Sequence, residues 1–271
     1  CLGIRPLGYP FRHNLGRETM LVPVKWESGW PVMGENGTVP DTIEIDALPG
    51  KRTRKSQYYV PGSNVTDTFN SKTLHPSWNT IYNPVSKLVV PTEHGLFLRS
   101  FGTALSEDKA KAIVVRRQEH FHFTATATLT LESVNAGSEA GITIYMNNRH
   151  HYEAALATVN GQYFIILRRR IGSLQSIETQ IPYHCNTVKL ILTGDRENYT
   201  FSYLDIRPDE NPMPATAAFP SAVNAPVVIG SGEAQYLTTE VGGCFTGNYI
   251  GLYASKGDGL FTEFTYQGGR N

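Results

Sequence analysis

The 271-residue chain has few cysteines, few charged residues and no long apolar run, and each shortage excludes a class of protein. Its cysteines, Cys1, Cys185 and Cys244, are too few for a disulfide scaffold, although they leave room for one disulfide. Lys plus Arg number 24 and Asp plus Glu also number 24, so the formal charge is zero and no nucleic-acid partner is expected. No apolar run approaches the roughly 18 residues of a membrane-spanning helix, so no membrane partner is expected either.

Aromatic residues and glycosylation sequons are what the chain does contain. With 14 Tyr and 12 Phe but only 18% charged residues, the composition suits a neutral ligand such as a sugar, whose C–H faces stack on rings. The same rings could instead fill a β core. Asn36, Asn64 and Asn198 each begin an Asn-x-Thr sequon, which predicts N-glycosylation at these positions and a secreted, extracellular protein.

Apolar and polar residues alternate along several segments, most clearly over residues 121–132. A period of two is typical of a half-buried antiparallel strand. The Asn160-Gly161 dipeptide predicts a hairpin turn between two such strands. Further strands are predicted at residues 141–146, 152–158, 162–171, 188–192, 199–204, 249–254 and 261–266. The sequence therefore predicts an all-β fold, a sandwich of two antiparallel sheets.

Differences in residue composition divide the chain into three parts. Residues 1–33 carry short apolar pieces with Trp26 and Trp30, and residues 34–66 are rich in Gly, Pro, Thr and Lys/Arg, as a surface linker would be. The sandwich is predicted at residues 67–271. Glu44 and Asp46 would share one face of a short strand, most simply a solvated face. No serine-hydrolase, zinc or phosphate-loop motif occurs, so the residues alone indicate a secreted sandwich, of which a carbohydrate-binding module is one example.

Two stretches carry a family resemblance. Leu-Gly-Arg-Glu-Thr at residues 15–19, followed by residues 22–27 and 29–32, looks like the end of the catalytic five-bladed β-propeller of glycoside hydrolase family 43. Residues 139–152 resemble a signature of the concanavalin-like (jelly-roll) β-sandwich that follows that propeller in β-xylosidases and α-L-arabinofuranosidases. Residues 67–69 with Trp78, 116–118 with His120, and 242–253 also match, in the family's order.

The resemblance implies a glycosidase that removes non-reducing xylosyl or arabinofuranosyl ends, with inversion, from xylo-oligosaccharide or arabinoxylan. The catalytic carboxylates of such enzymes lie on early propeller blades, so no catalytic residue is expected in this chain and an upstream propeller polypeptide is the expected partner. Cys1 opens a strand-like apolar segment, which also predicts a piece of a longer protein. A free carbohydrate-binding module and a stabilising buttress for the propeller are the alternatives.

The resemblance also implies site residues. Arg17 matches the family's arginine at the active-site sugar, although a salt bridge with Glu18 is an alternative role. Phe245 lies where the sandwich sends a loop toward the pocket, beside Cys244, where several relatives have a second aromatic. No cofactor is required, but Asp67 and Glu263 are candidates for a structural Ca²⁺ site.

A run of three arginines and a pair of histidines are both interpreted as structural rather than functional residues. Arg168, Arg169 and Arg170 cannot all face one side of a strand, and we expect them at the surface. His150 and His151 fall in an extended segment, and we expect both to be hydrogen-bonded structural residues.

Overall fold

The computed structural model describes residues 1–35, 37–39, 64–82, 89–133, 135–206 and 225–269. Nineteen strands account for most of this part of the chain. They are β1 (Leu2–Gly3), β2 (Glu18–Thr19), β3 (Val24–Glu27), β4 (Trp30–Met33), β5 (Val65–Asp67), β6 (Asn79–Thr80), β7 (Val89–Thr92), β8 (Gly95–Leu98), β9 (Ala112–Arg117), β10 (Phe123–Leu131), β11 (Glu139–Asn147), β12 (His150–Val159), β13 (Gln162–Ile171), β14 (Leu174–Tyr183), β15 (Thr187–Gly194), β16 (Asn198–Asp205), β17 (Val227–Glu233), β18 (Tyr249–Ser255) and β19 (Gly259–Gly268).

Two large antiparallel sheets form the sandwich. One has eight strands in the order β17-β16-β15-β10-β19-β8-β7, with β5 pairing on β19, and the other has seven in the order β14-β13-β12-β11-β18-β9-β6. In the described part of the chain the helical structure is a 3-10 turn (Ala234–Leu237) and one short helix, α1 (Thr239–Gly242). No described helix has the length and apolar character that a bilayer crossing requires. The predicted all-β, two-sheet fold is confirmed.

The strand β10 shows why the chain forms this sandwich. Phe123, Ala125, Ala127, Leu129 and Leu131 are 0–5% exposed and pack between the sheets, whereas the threonines that alternate with them are partly exposed. Residues two apart on a strand share a face, so the alternation written in the sequence becomes one buried and one solvated face. Burial of each leucine side chain stabilises the fold by ~2 kcal/mol.

The central strands of the seven-stranded sheet, β12, β11, β18 and β9, are buried on both faces, which the alternation did not predict. A second apolar cluster lies on its outer face, turned away from the other sheet, and consists of Leu105, Ile113, Val115, Tyr145, Ala155, Ala157, Ile166 and Tyr253. Leu105 belongs to the loop between β8 and β9, which therefore covers this face. As a result nine of the ten residues of β12 are buried.

The strands predicted from alternation are present, and the turn at Asn160-Gly161 is the predicted hairpin. Both turn residues have positive φ, 51° and 77°, as a type I′ turn requires. Strand β14 was not predicted from the sequence, although it pairs along β13. Most of its side chains are exposed, so no buried face marks it as a strand.

The described residues of the first part form two small antiparallel pairs, β1 with β2 and β3 with β4. Their large apolar side chains are mostly exposed, and we call them the N-terminal apolar surface: Leu2, Ile4, Tyr9, Phe11, Leu21, Val24, Trp26, Trp30, Val32 and Met33. Trp26 and Trp30 are 73% and 77% exposed. Most of the predicted linker, including Glu44 and Asp46, lies outside the described residues, so the three-part division stays a prediction.

Candidate functional site

Arg17 and Phe245, which lie 228 positions apart in sequence, are in contact. The guanidinium carbon of Arg17 is 4.6 Å from the centroid of the Phe245 ring, a cation–π distance. Both side chains are exposed, Phe245 to 60%. Glu18, the alternative partner for Arg17, instead accepts two hydrogen bonds from Arg5, at 2.7 and 2.8 Å. Within the described residues the Arg17 guanidinium forms no ion pair, so its donors face solvent.

Two glycines let the segments that carry this pair approach each other. Gly16 and Gly247 both have positive φ, 75° and 76°. A Cβ on Gly16 would lie 2.6 Å from the carbonyl of Thr246, and a Cβ on Gly247 would lie 2.4 Å from the carbonyl carbon of Leu15. Any other residue at either position would therefore clash with backbone and adopt a strained conformation. The two backbones touch because both positions are glycine.

Hydrogen bonds from the sandwich hold the Arg17 segment in place. The backbone N–H of Asn248 donates to the carbonyl of Asn14 at 2.7 Å. Arg117, at the end of β9, donates to the carbonyl of Leu15 at 2.6 Å. Leu15 itself is 1% exposed. Arg17 is thus an exposed side chain on an anchored backbone.

A buried tyrosine lies beneath the two segments. The Tyr199 hydroxyl accepts hydrogen bonds from the side-chain amides of Asn14 at 2.6 Å and Asn248 at 2.9 Å, and donates to Gln118 at 2.7 Å. All four residues are 0–1% exposed. None of these residues was predicted to belong to the site. Asn14 borders the matching stretch 15–19, and Gln118 and Asn248 lie within the matching stretches 116–118 and 242–253, but nothing in the sequence indicated that they meet at Tyr199.

A histidine and a glutamate make a further link. Glu240 in α1 accepts hydrogen bonds from the backbone N–H of His13 at 3.0 Å and from its Nδ1 at 2.7 Å. Partial burial raises the pKa of Glu240, but the hydrogen bonds from His13 outweigh it, so the pKa lies below its usual value. The Glu240 carboxylate is therefore ionised at neutral pH and ties α1, which precedes Phe245, to the Arg17 segment.

Cys244 lies beside Phe245 and is partly buried. Its Sγ is 3.0 Å from the hydroxyl of Thr246. All three cysteines are free, so the disulfide for which the sequence left room is not formed. Cys244 is thus a free thiol on the loop that carries Phe245.

The candidate calcium ligands are not brought together. Asp67 accepts hydrogen bonds from the backbone N–H of Phe69 at 2.8 Å and from the indole of Trp78 at 2.9 Å, and Glu263 pairs with Lys189 at 3.0 Å. Asp67 is in register with Phe264. Since neighbours along a strand point to opposite faces, Glu263 points away from Asp67. No three His, Cys, Asp or Glu side chains of the described chain form a metal-binding group.

The surface interpretation of Arg168 is wrong. Its side chain is 14% exposed and forms ion pairs with Glu139 at 2.8 Å and with Glu153 at 2.6 Å, on the outer face of the seven-stranded sheet. Burial raises the pKa of Glu139 even though Arg168 opposes the change. A charge run in sequence could not reveal this because the carboxylates come from two other strands.

The two adjacent histidines are structural, as predicted. His150 and His151 are 8% and 1% exposed. The Nδ1 of His150 lies 3.1 Å from the carbonyl of Tyr236, and that of His151 lies 3.0 Å from the carbonyl of Asn147. Both rings are thus oriented by backbone acceptors.

The predicted glycosylation positions differ in accessibility. Asn64 is exposed just before β5, and Asn198 is partly exposed at the start of β16. Asn36 lies outside the described residues.

Comparison with known proteins places the chain in a family. Residues 66–267 match the family model described as the beta xylosidase C-terminal concanavalin A-like domain of glycoside hydrolase family 43. A curated "non-reducing end alpha-L-arabinofuranosidase" of Bacteroides ovatus is 30% identical over 260 residues, which are 94% of this chain and 44% of that protein. A "putative beta-xylosidase" of Escherichia coli is 27% identical over 265 residues, 93% of this chain and 46% of that protein.

Solved structures give the same result for the fold. The structure described as "Bacteroides ovatus Xyloglucan PUL GH43B" has a TM-score of 0.81 and 27% identity, and covers 98% of this chain and 50% of its own. A xylan beta-1,4-xylosidase from Bacillus halodurans has a TM-score of 0.75 and 22% identity over 98% of this chain and 50% of its own. The chain therefore spans about half the length of the relatives that it matches.

Proposed function

This chain belongs to glycoside hydrolase family 43, as the C-terminal concanavalin A-like part of such a protein, and from that premise we propose that it completes the sugar pocket of a β-xylosidase or α-L-arabinofuranosidase. Arg17 and Phe245 bind the sugar in this proposal, with Cys244 lining the wall beside them. The sandwich also buttresses the catalytic propeller.

The contact between Arg17 and Phe245 carries the proposal. A guanidinium presents five N–H donors in a fixed plane, which suits the closely spaced hydroxyls of a pentose. An aromatic ring offers a face to the sugar's C–H groups. The pair is exposed on an anchored backbone, so it can meet a ligand without a large loss of conformational entropy.

We propose that the catalytic carboxylates come from polypeptide upstream of this chain. Glycoside hydrolysis with inversion uses one carboxylic acid to protonate the leaving oxygen and one carboxylate to activate water, and it needs no cofactor. The carboxylates that flank the pair in sequence have other partners, Glu18 with Arg5 and Glu240 with His13. The exposed N-terminal apolar surface supports a propeller packed against residues 1–33, because so many large apolar side chains rarely face water.

The relatives support a proposal about the substrates. We propose that the enzyme removes non-reducing xylosyl or arabinofuranosyl residues from xylan-type hemicellulose, as xylo-oligosaccharide or arabinoxylan. The relatives, a non-reducing end alpha-L-arabinofuranosidase and a putative beta-xylosidase, support both sugars.

We also propose that the protein is secreted and glycosylated. The exposure of Asn64 and the partial exposure of Asn198 support glycan attachment at both sequons. Treatment of the protein from its native host with an N-glycosidase should lower its intact mass. An unchanged mass would contradict the proposal.

The proposal is tested in the full-length hydrolase with p-nitrophenyl xyloside and p-nitrophenyl arabinofuranoside. Phe245→Ala should raise KM about 2- to 10-fold because the stacking face is lost, which corresponds to the ~0.5–1.5 kcal/mol of one aromatic contact. Arg17→Lys keeps the charge but loses the planar fork, and kcat/KM should fall about 10- to 100-fold.

Phe101 provides a matched control. It is 51% exposed and lies in the loop after β8. The backbone N–H of its neighbour Ser100 donates to Asp258, which follows the end of β18, whereas Phe245 precedes the start of that strand. Phe101→Ala should leave KM unchanged. If Phe245→Ala also leaves KM unchanged and alters only thermal stability, the sandwich is a buttress alone. Binding of xylohexaose by this chain, with no activity gained on addition of the upstream half, would support a free carbohydrate-binding module instead.

A further inference from the structure

We propose that Tyr199 is a positioning residue, whose hydroxyl sets the spacing between Arg17 and Phe245. This inference rests on the proposed function of that pair. Tyr199 touches neither side chain, and it acts through the two asparagines that bond to its hydroxyl.

The two segments reach Tyr199 in the same way. Asn14 precedes Arg17 by three residues, and Asn248 follows Phe245 by three residues. Each asparagine donates its side-chain amide to the same oxygen, at 2.6 and 2.9 Å. A single atom therefore fixes one end of both short segments. Three residues of backbone leave little freedom between that fixed end and the side chain that binds the sugar.

The hydrogen-bonding capacity of the Tyr199 hydroxyl is fully used. A phenol has two acceptor lone pairs and one donor proton. The two asparagine amides occupy the lone pairs, and the proton goes to Gln118 at 2.7 Å. The site is closed to solvent, since all four residues are 0–1% exposed. Loss of the oxygen would remove the partner of the Asn14 amide and of the Gln118 Oε1, whereas the Asn248 amide would keep its bond to the Leu237 carbonyl at 3.0 Å. Restoring the lost hydrogen bonds would require the Asn14 segment to move.

Backbone hydrogen bonds connect the residues around the Tyr199 hydroxyl to the segments that carry Arg17 and Phe245. The N–H of Asn248 donates to the carbonyl of Asn14 at 2.7 Å, and the N–H of Gln118 donates to the carbonyl of Asn248 at 2.9 Å. The close approach at Gly16 and Gly247 completes the link. A shift of either asparagine would therefore change the separation of Arg17 and Phe245.

The test compares two Tyr→Phe substitutions in the full-length hydrolase. Tyr199→Phe removes one oxygen from the core and keeps the ring. Tyr183→Phe is the matched control, because the Tyr183 hydroxyl bonds Asp205 at the opposite end of β16. We expect Tyr199→Phe to raise KM about tenfold with kcat changed less than about threefold, and Tyr183→Phe to leave both constants unchanged. An equal effect of the two substitutions on KM would overturn the positioning role.

Hydrogen exchange provides a readout that does not depend on substrate. Tyr199→Phe should speed amide exchange at residues 13–17 and 245–249, whereas Tyr183→Phe should not. Unchanged exchange in Tyr199→Phe would overturn the inference. Faster exchange together with an unchanged KM in both Tyr199→Phe and Phe245→Ala would leave the structural link standing and overturn the proposed function. Faster exchange with KM raised only by Phe245→Ala would overturn the positioning role alone.

A second variant covers the case in which Tyr199→Phe does not fold. Asn14→Ala removes only the bond on the Arg17 side. It should raise KM about threefold and speed exchange at residues 13–17. An unchanged KM with faster exchange would count against the positioning role.

Discussion

Acidification should destabilise this protein through His151, and the structure gives the size of the effect. The ring is 1% exposed, and its Nδ1 lies 3.0 Å from the carbonyl of Asn147. Because a carbonyl only accepts, Nδ1 carries the proton of the neutral ring. Nε2 is buried with no hydrogen-bond partner in the described part of the chain, so a proton added there would have no acceptor.

These surroundings lower the pKa of His151 from its usual value near 6.5 to about 4. Burial is the largest cause, and the nearby charges of Arg170, Arg168 and Lys111 act in the same direction, whereas the bond to Asn147 opposes them. The unfolded chain takes up the proton below pH ~6.5, but the folded chain takes it up only near pH 4. The free energy of unfolding should therefore fall as the pH is lowered through this window, by ~3 kcal/mol in total.

Urea unfolding of the wild type and His151→Gln between pH 7 and pH 4 measures the effect. Glutamine is neutral throughout the range and all other groups are the same in the two proteins, so other titrations cancel in the comparison. The stability of the wild type relative to the variant should decline by ~3 kcal/mol across the range. His94→Gln is the control, because the His94 side chain is 76% exposed. Parallel pH profiles for the wild type and His151→Gln, or an NMR titration of His151 near pH 6.5, would refute the reasoning.

Two further substitutions test the packing around the site and the buried charges. Gly247→Ala should destabilise the fold by more than ~2 kcal/mol in urea unfolding, because the position has positive φ and the new Cβ would clash with Leu15. Gly172→Ala is the control: that position has positive φ but open space around it, so the substitution should cost ~1 kcal/mol. Equal costs would show that the clash is relieved. Arg168→Met should cost ~3–5 kcal/mol because it leaves two buried carboxylates unpaired, and Lys189→Met, which breaks a half-exposed pair, should cost less than ~1 kcal/mol. If Arg168→Met and Lys189→Met lowered the free energy of unfolding by similar amounts in thermal unfolding, burial of the ion pair would not explain the cost.

Local patterns in the sequence determined the layers of the fold. Alternation along β10 and the Asn160-Gly161 turn act between near neighbours, so they could be interpreted without knowing any distant contact. Edge strand β14 escaped prediction because no buried face imposes a period on it. The second apolar cluster also escaped, since it depends on a loop whose position no periodicity encodes.

The sequence also supplied Arg17 and Phe245, through the motifs that surround them, but only the tertiary structure put them in contact. Tyr199 lies inside an ordinary alternating strand, and its meeting with Asn14 and Asn248 depends on how three distant segments pack. Likewise, three consecutive arginines looked like a solvated face until two other strands brought Glu139 and Glu153 to Arg168. Periodicity records which side of a strand is buried. It does not record which side chain from elsewhere will lie there, because that depends on sheet order, register and loop placement.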